Sequence, residues 1–385
     1  MDIKYSVGIM SGTSLDGIDV ALVKIKDSGI NTKLDVVGFE TIPFEEDLRE
    51  EIKRSLSIEK SNVELICSLN FKLGYAFSNA VKVACNNFNF DLSKIDFIGS
   101  HGQTVYHIPK DTKELKKSTL QIGEPSIIAY EIGCQVVSNF RSMDMAAGGE
   151  GAPLVPFTEY ILYRSSKNRV LQNIGGIGNA TIIPQKCKLN DVFAFDTGPG
   201  NMIIDEVVYR LTGMPYDKGG QLSLKGKIIE PMLKDLMEHE YILRCPPKST
   251  GREVFGSQFV DKILKQYSSE CKEDIICTVT MFTAKSIEYN YRNFIMPRMK
   301  IDEVIIGGGG SYNKTLLNMI RECMPECKVL TQEDLGFSSD SKEAIAFAIL
   351  ANETLHGSFS NVLTATGAKE YVILGNITPT PKKFN

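Results

Sequence analysis

Four times in 385 residues a short apolar, β-prone run stops at a glycine-rich loop. Residues 5–9 run into SGTSLDG, 170–174 into NIGGIGN, 192–195 into DTGPGN and 303–306 into GGGGSYN. Glycine lacks Cβ, so each loop brings bare main chain within reach of a ligand. Strands that end in such loops place them at the carboxyl edge of a sheet, where open α/β folds bind ligands. This recurrence restricts the chain to few architectures.

The first two loops each lead into another strand: residues 18–25 alternate in polarity, and 180–183 resume a β-prone run. Two hairpins about half a chain apart suggest an internal duplication, although their sequences share little. The other two loops lead into helical spacing at 202–211 and 315–323, and 341–350 reads as a helix burying one side. Residues 95–99 read as a buried strand before a polar loop, SHGQT. Repeated strand–loop–helix units predict an α/β class with partly parallel sheets. Two lobes are expected, 1–138 with 365–385 and 139–364, the tail returning to the first.

Bulk properties narrow the function. A chain this long buries enough apolar surface to fold without a staple. Its net charge of −4 argues against nucleic acid or an anionic membrane as the main partner. Nine cysteines, an odd number without a CxxC pair, read as reduced thiols. The four histidines lack metal-site spacing. No apolar run approaches a bilayer's width, and the N-terminus lacks a signal-like apolar stretch. A soluble, cytoplasmic protein is expected.

The loops carry the candidate chemistry. In MSGTSLDGID, the main chain around Gly12 and Gly17 with the hydroxyls of Ser11, Thr13 and Ser14 can cradle phosphate oxygens. Asp16 and Asp19 can hold Mg²⁺, directly or through water; a polar hairpin turn explains the loop equally well. It is not a Walker A motif. Gly175, Gly176 and Gly178 can meet the same phosphates. Asp196, among Gly198, Pro199 and Gly200, is a stiff carboxylate suited to general-base work; capping of the following helix is the weaker reading. Gly307–Gly310 read as a bare surface for an adenine ring or ribose. Arg141 either binds an anion bidentately or pairs internally with Asp144. His101 reads as a structural histidine ahead of a catalytic one.

Together these strings resemble one family. GIMSGTSLDGIDVALV, GSHGQTVYHIP, TLQIGEPSIIA, NFRSMDMAAGGEGAPLVP, QNIGGIGNAT, FDTGPGN, PPKSTGREVFG, IIGGGGSYN and SKEAIAFA follow, in order, the pattern of anhydro-N-acetylmuramic acid kinases. The resemblance implies a two-lobed actin/Hsp70/hexokinase-type fold, a duplicated ribonuclease H-like unit with ATP in the cleft between lobes. It implies ATP contacts from Ser11 to Asp19 (including Leu15 and Ile18), from Gly175, Gly176, Gly178 and Asn179, and from Gly308, Gly309 and Gly310. It implies Asp196 as catalytic base, Glu343 as a second catalytic acid near the sugar, and His101, Gln103, Thr104, Arg141 and Asp144 as sugar-side contacts. Mg²⁺ and a homodimer are also implied. Asn139 and Glu124, where the family more often has Asp, and Glu150, where it more often has Gln, depart from the pattern.

The expected reaction opens the 1,6-anhydro bridge of anhydro-N-acetylmuramic acid with water and phosphorylates O6. It gives N-acetylmuramic acid 6-phosphate and ADP, in the recycling of bacterial cell-wall sugars. The alternatives are another sugar or carboxylate kinase of the same fold, or a chaperone-like ATPase.

Overall fold

The computed structural model describes residues 3–12, 15, 17–248, 250–336 and 338–381. The chain forms two compact units, Met1–Leu162 with Asp340–Asn385, and Tyr163–Ser339.

Unit 1 contains β1 (Lys4–Ser11), β2 (Ile18–Lys26), β3 (Lys33–Ile42), α1 (Glu46–Ser55), α2 (Val63–Asn87), β4 (Phe97–Ile108), β5 (Ser118–Ile122), α3 (Pro125–Ile132), β6 (Gln135–Ser138), α4 (Phe140–Ala146) and α5 (Val155–Tyr163). Unit 2 contains β7 (Arg169–Ile174), β8 (Ile177–Ile183), β9 (Phe193–Pro199), α6 (Asn201–Thr212), α7 (Glu230–Met237), α8 (Glu240–Leu243), α9 (Arg252–Phe255), α10 (Ser257–Gln266), α11 (Lys272–Asn290), β10 (Glu303–Gly307), α12 (Lys314–Cys323) and β11 (Lys328–Thr331). The chain then supplies unit 1 with α13 (Lys342–Leu355), α14 (Leu363–Thr366) and β12 (Asn376–Thr378).

The sheets share one plan. An antiparallel meander, β1–β2–β3 or β7–β8–β9, pairs its first strand parallel to a fourth, β4 or β10. That strand pairs parallel to a fifth, β6 or β11. This is the ribonuclease H-like strand order, present twice, as in the actin/Hsp70/hexokinase-type fold. Unit 1 adds β5 beside β4 and β12 beside β6. The fourth strands are buried at their starts, as parallel strands covered on both faces must be.

A glycine pair fixes the long-range closure of unit 1. Gly8 of β1 lies opposite Gly99 of β4, and α13 crosses directly over them. A Cβ on Gly8 would sit 1.8 Å from the Ala344 carbonyl oxygen, and one on Gly99 2.1 Å from that of Phe347. Helix and sheet therefore touch main chain to main chain. The ion pair between half-buried Lys342 and buried Glu159 ties the start of α13 to α5. These contacts explain why the units divide at 162/163 and 339/340 rather than at 138/139 and 364/365. The helix at 342–355 is separated in sequence from the sheet that it covers, so local patterns carry no trace of the pairing.

Unit 2 closes around α11, whose residues are buried on nearly every side. Phe282 and Ile287 meet Val170 and Ile182 of the sheet, Ile203 and Val207 of α6, and Ile320 of α12 in one apolar core.

Candidate active site

In unit 1 the hairpin β1–β2 holds the first glycine loop. Gly17 is needed because a Cβ there would lie 2.7 Å from the Ile42 carbonyl oxygen. The Ser11 hydroxyl donates to Gln103 Oε1 at 2.5 Å in a buried bond, so both side chains are spent anchoring the loop to β4. Leu15 and Ile18 bury their side chains in the core. A ligand at this loop therefore meets main chain near Gly12. Thr13, Ser14 and Asp16 lie outside the described residues.

Asp19 pairs across the sheet with Thr41, whose hydroxyl donates to its Oδ1 at 2.6 Å. Among the described residues, no three or more of His, Cys, Asp and Glu are grouped as metal ligands. Among the described residues Asp19 is the loop's one carboxylate, which fits Mg²⁺ that keeps phosphate and water ligands rather than an ion caged by protein.

SHGQT is strand rather than loop. Ser100, His101, Gln103 and Thr104 lie on β4, where the β1–β4 register breaks between the Ile9–Ser100 and Ser11–Gln103 pairs. Gly102, at φ +76°, occupies the break. His101 is almost wholly buried. Its Nδ1 donates to the Gly102 carbonyl at 2.8 Å, and its Nε2 accepts Arg141 Nε and Nη2 at 3.1 and 2.9 Å. A guanidinium only donates, so the ring is neutral and its tautomer is fixed. Burial, then the Arg141 charge, lowers its pKa from 6.5 to about 3. This is a structural histidine, not a titrating one.

Arg141 also donates Nη1 to the Gly151 carbonyl at 2.8 Å. Burial lowers its pKa, and the Glu343 charge opposes that shift. Glu343 is exposed in the first turn of α13. The Arg141–Asp144 pair does not form. Asp144 is fully buried and accepts Gly151 N at 2.9 Å, Thr366 Oγ1 at 2.7 Å and Asn361 Nδ2 at 3.2 Å. Asp144 and Gln103 are both fully buried and hold loops in place.

A cavity of about 690 Å³ opens beside Ser100 and His101, with Gln121, Glu124 and Asn139 also on its wall. Ser100 Oγ and Gln121 Oε1 are buried there without a hydrogen-bond partner among the described residues. Glu124 caps α3, accepting Ser126 N at 3.0 Å, and Asn139 accepts the Ser142 hydroxyl at 2.5 Å. Two of the three departures from the family pattern thus border this cavity. The third, Glu150, forms a half-exposed ion pair with Lys110.

In unit 2 three glycine segments converge. The β7–β8 turn accepts Asn201 N at Gly175 O (2.7 Å) and Gly200 N at Gly176 O (2.9 Å). Asn201 Nδ2 donates to Ile174 O at 3.2 Å. The four-glycine turn packs on the same spot: a Cβ on Gly308 or Gly310 would meet Asn173 and Ile174 at 2.8 and 2.4 Å. Protein contacts alone require those two glycines. At Gly309 the nearest atom lies 3.5 Å away, and at Gly175 3.7 Å, so these positions can admit a ligand.

Asp196 lies on β9, opposite Asn179. The next pair is Gly198–Gly178, which leaves Thr197 as an extra residue, a bulge. Bulges commonly re-aim side chains beside active sites. This one is held by Ser286 Oγ (2.5 Å) and Asn290 Nδ2 (2.8 Å) on the Thr197 carbonyl, and by Gly198 at φ +126°. Asp196 Oδ2 accepts Thr250 N at 2.9 Å, its N donates to Lys248 O at 3.1 Å, and its carbonyl accepts the Tyr241 hydroxyl at 3.1 Å. It does not cap α6, whose N-cap is Gly200.

No local pattern gives a role to Lys248, although it lies in PPKSTGREVFG, or to Asp205. Lys248 is buried against Asp196's neighbours. Asp205 on α6 lines a cavity of about 620 Å³ with Gly176, Met202 and Tyr209. Burial, then Asp217, raises its pKa to about 6.

Residues 4–380 match the family profile described as anhydro-N-acetylmuramic acid kinase. A protein of that name from Clostridioides difficile (strain 630) is 60% identical over 98% of this chain and 99% of its own. Another, from Bacillus cereus (strain Q1), is 59% identical over 97% and 99%. Among solved structures, an activator of 2-hydroxyisocaproyl-CoA dehydratase from Clostridium difficile with bound ADPNP covers 90% of this chain and 94% of its own, at TM-score 0.44 and 11% identity. A ROK hexokinase from Thermus thermophilus covers 91% and 99%, at TM-score 0.38 and 10% identity. Likeness at those scores decides nothing about function.

Proposed function

The chain belongs to the anhydro-N-acetylmuramic acid kinase family, and from that premise we propose how its residues divide the work. The activity is ATP-dependent opening and phosphorylation of 1,6-anhydro-N-acetylmuramic acid. Asp196 takes a proton from a water as that water bonds to C1. The C1–O6 bond breaks, and O6 takes the γ-phosphoryl group, leaving ADP and N-acetylmuramic acid 6-phosphate. The observation that carries this role is the Thr197 bulge, with Thr250 N fixing one carboxylate oxygen. A base held in one position removes an orientational cost from the reaction.

In unit 1 the main chain near Gly12 is assigned to ATP phosphate; in unit 2 Gly175–Gly176 are assigned to phosphate and Gly309 to the nucleoside side. Asn179 sits opposite Asp196 and is assigned a contact at the reacting end. Mg²⁺ bound on the phosphates would neutralise their charge, with Asp19 reaching it through water. Sugar contacts are assigned to Arg141, which retains donors beyond its bonds to His101 and Gly151, and to the cavity at Ser100 and Gln121. Glu343 sets the charge near Arg141.

No described helix is long and apolar enough to cross a membrane. A cytoplasmic homodimer in cell-wall sugar recycling is the setting that this reading proposes. The test is ADP release with the anhydro sugar against ordinary hexoses: turnover confined to the anhydro sugar supports the reading, and equal turnover of glucose contradicts it.

A further inference from the structure

Lys248 is the most unusual charge in unit 2. It is only 5% exposed, and lysines are almost never buried without an acid partner. Its ammonium donates to the carbonyls of Tyr241 and Ile242 at 3.2 and 3.1 Å. It lies 5.0 Å from the Tyr241 ring centre and 5.2 Å from that of Phe294. No carboxylate is within ion-pair distance among the described residues. For stability alone a methionine would fill this site at lower cost, because a buried cation loses its hydration.

The surroundings of Lys248 are those of Asp196. Its carbonyl accepts the Asp196 N–H, its ring partner Tyr241 donates to the Asp196 carbonyl, and Thr250, two residues on, binds the Asp196 carboxylate. The charged or titratable groups that act on Lys248 are Cys245, Arg244 and Asp196; Tyr241 faces it with its ring.

We propose that Lys248 is a positioning residue, a buried cation that keeps the Asp196 carboxylate charged and aimed during turnover. This rests on Asp196 being the base. Burial lowers the lysine's pKa to about 8, so its charge is present at neutral pH and is lost as pH rises further.

The test is Lys248→Met beside Asp196→Asn, with kcat, both KM values, kcat against pH and thermal unfolding. Lys248→Met should unfold no earlier than the wild type and keep KM for ATP within about twofold. Its kcat should fall about tenfold or more. The acidic limb of its kcat profile should move up by about one pH unit, because an opposite charge favours the carboxylate. In the wild type a second limb should appear near pH 8 and be missing from the variant; the wild-type limb alone tests the idea if the variant does not fold. An unmoved acidic limb, or a wild-type rate flat through pH 9, overturns the proposal. If Asp196→Asn turns over normally, the base assignment fails instead; if that variant is inactive while Lys248→Met keeps the wild-type profile, only the role of Lys248 fails.

Discussion

Units 1 and 2 share a strand order but break it in different places, and the polar candidates sit at the breaks. In unit 1 the β1–β4 ladder slips at His101–Gly102. The side chain released there is neutral, buried and fully engaged with Arg141 and the Gly102 carbonyl. In unit 2 the β8–β9 ladder slips at Thr197. The side chain beside that break is a carboxylate, one of whose oxygens is fixed by Thr250 N. One interruption builds a rigid scaffold for a guanidinium; the other presents an acid. The same fold unit thus yields a docking element or a chemical one according to the residue at the irregularity.

The sharpest way to break this contrast is Asp196→Asn. The amide keeps the shape and cannot take a proton. Loss of a general base should lower kcat by about 10²–10⁴-fold with thermal unfolding nearly unchanged; a drop in stability equal to the drop in rate would make the Thr197 bulge a structural feature only. Next in size is Gly8→Ala. The added Cβ would collide with main chain at Ala344, which cannot rotate away, so urea unfolding should show a loss of about 3 kcal/mol or more. In unit 2 the parallel β7–β10 pairs Val170–Val304, Leu171–Ile305 and Gln172–Ile306 all carry side chains.

The neutral state of His101 gives a pH test. Its folded pKa, about 3, lies below its ordinary 6.5, so between these values the unfolded chain binds a proton that the native chain does not. The stability it contributes is present above pH 6.5 and declines as pH falls toward 3. His101→Gln should flatten that part of the wild-type curve; identical curves between pH 7 and pH 4 would mean that the ring is charged in the fold. The smallest expected change is Ser100→Ala. If the unpartnered hydroxyl binds the sugar, KM for the sugar should rise about threefold to tenfold, the worth of one neutral hydrogen bond, with KM for ATP unmoved. A rise in KM for ATP alone would assign the cavity to something else.

Much of this plan was legible in the sequence, because hairpin strands alternate in polarity and glycine turns interrupt them. Asp196 stood out because glycines and a proline isolate it after an apolar run. The strand through SHGQT was not legible: Ser100, His101 and Gln103 are polar residues that tertiary contacts bury, and local patterns class such runs as loops. Gly308 and Gly310 suggested a ligand surface, yet Ile174 and Asn173, more than 130 residues earlier in the chain, fill the space they leave. Lys248 falls in PPKSTGREVFG, a string that marks the family but not the burial of its lysine, since nothing local distinguishes a buried lysine from a solvated one. The position of α13 depends on Gly8 and Gly99, which only the fold brings together.

The central claim, that an acid directs water at the anhydro carbon while O6 receives the phosphoryl group, is tested most directly by turnover in ¹⁸O-labelled water. The protein is given ATP, Mg²⁺ and the anhydro sugar, and the position of the heavy oxygen in the product is read by mass spectrometry. One labelled oxygen at C1, with none in the phosphoryl group, is the result expected. A phosphorylated product with unlabelled C1, or label in the phosphate, would contradict it.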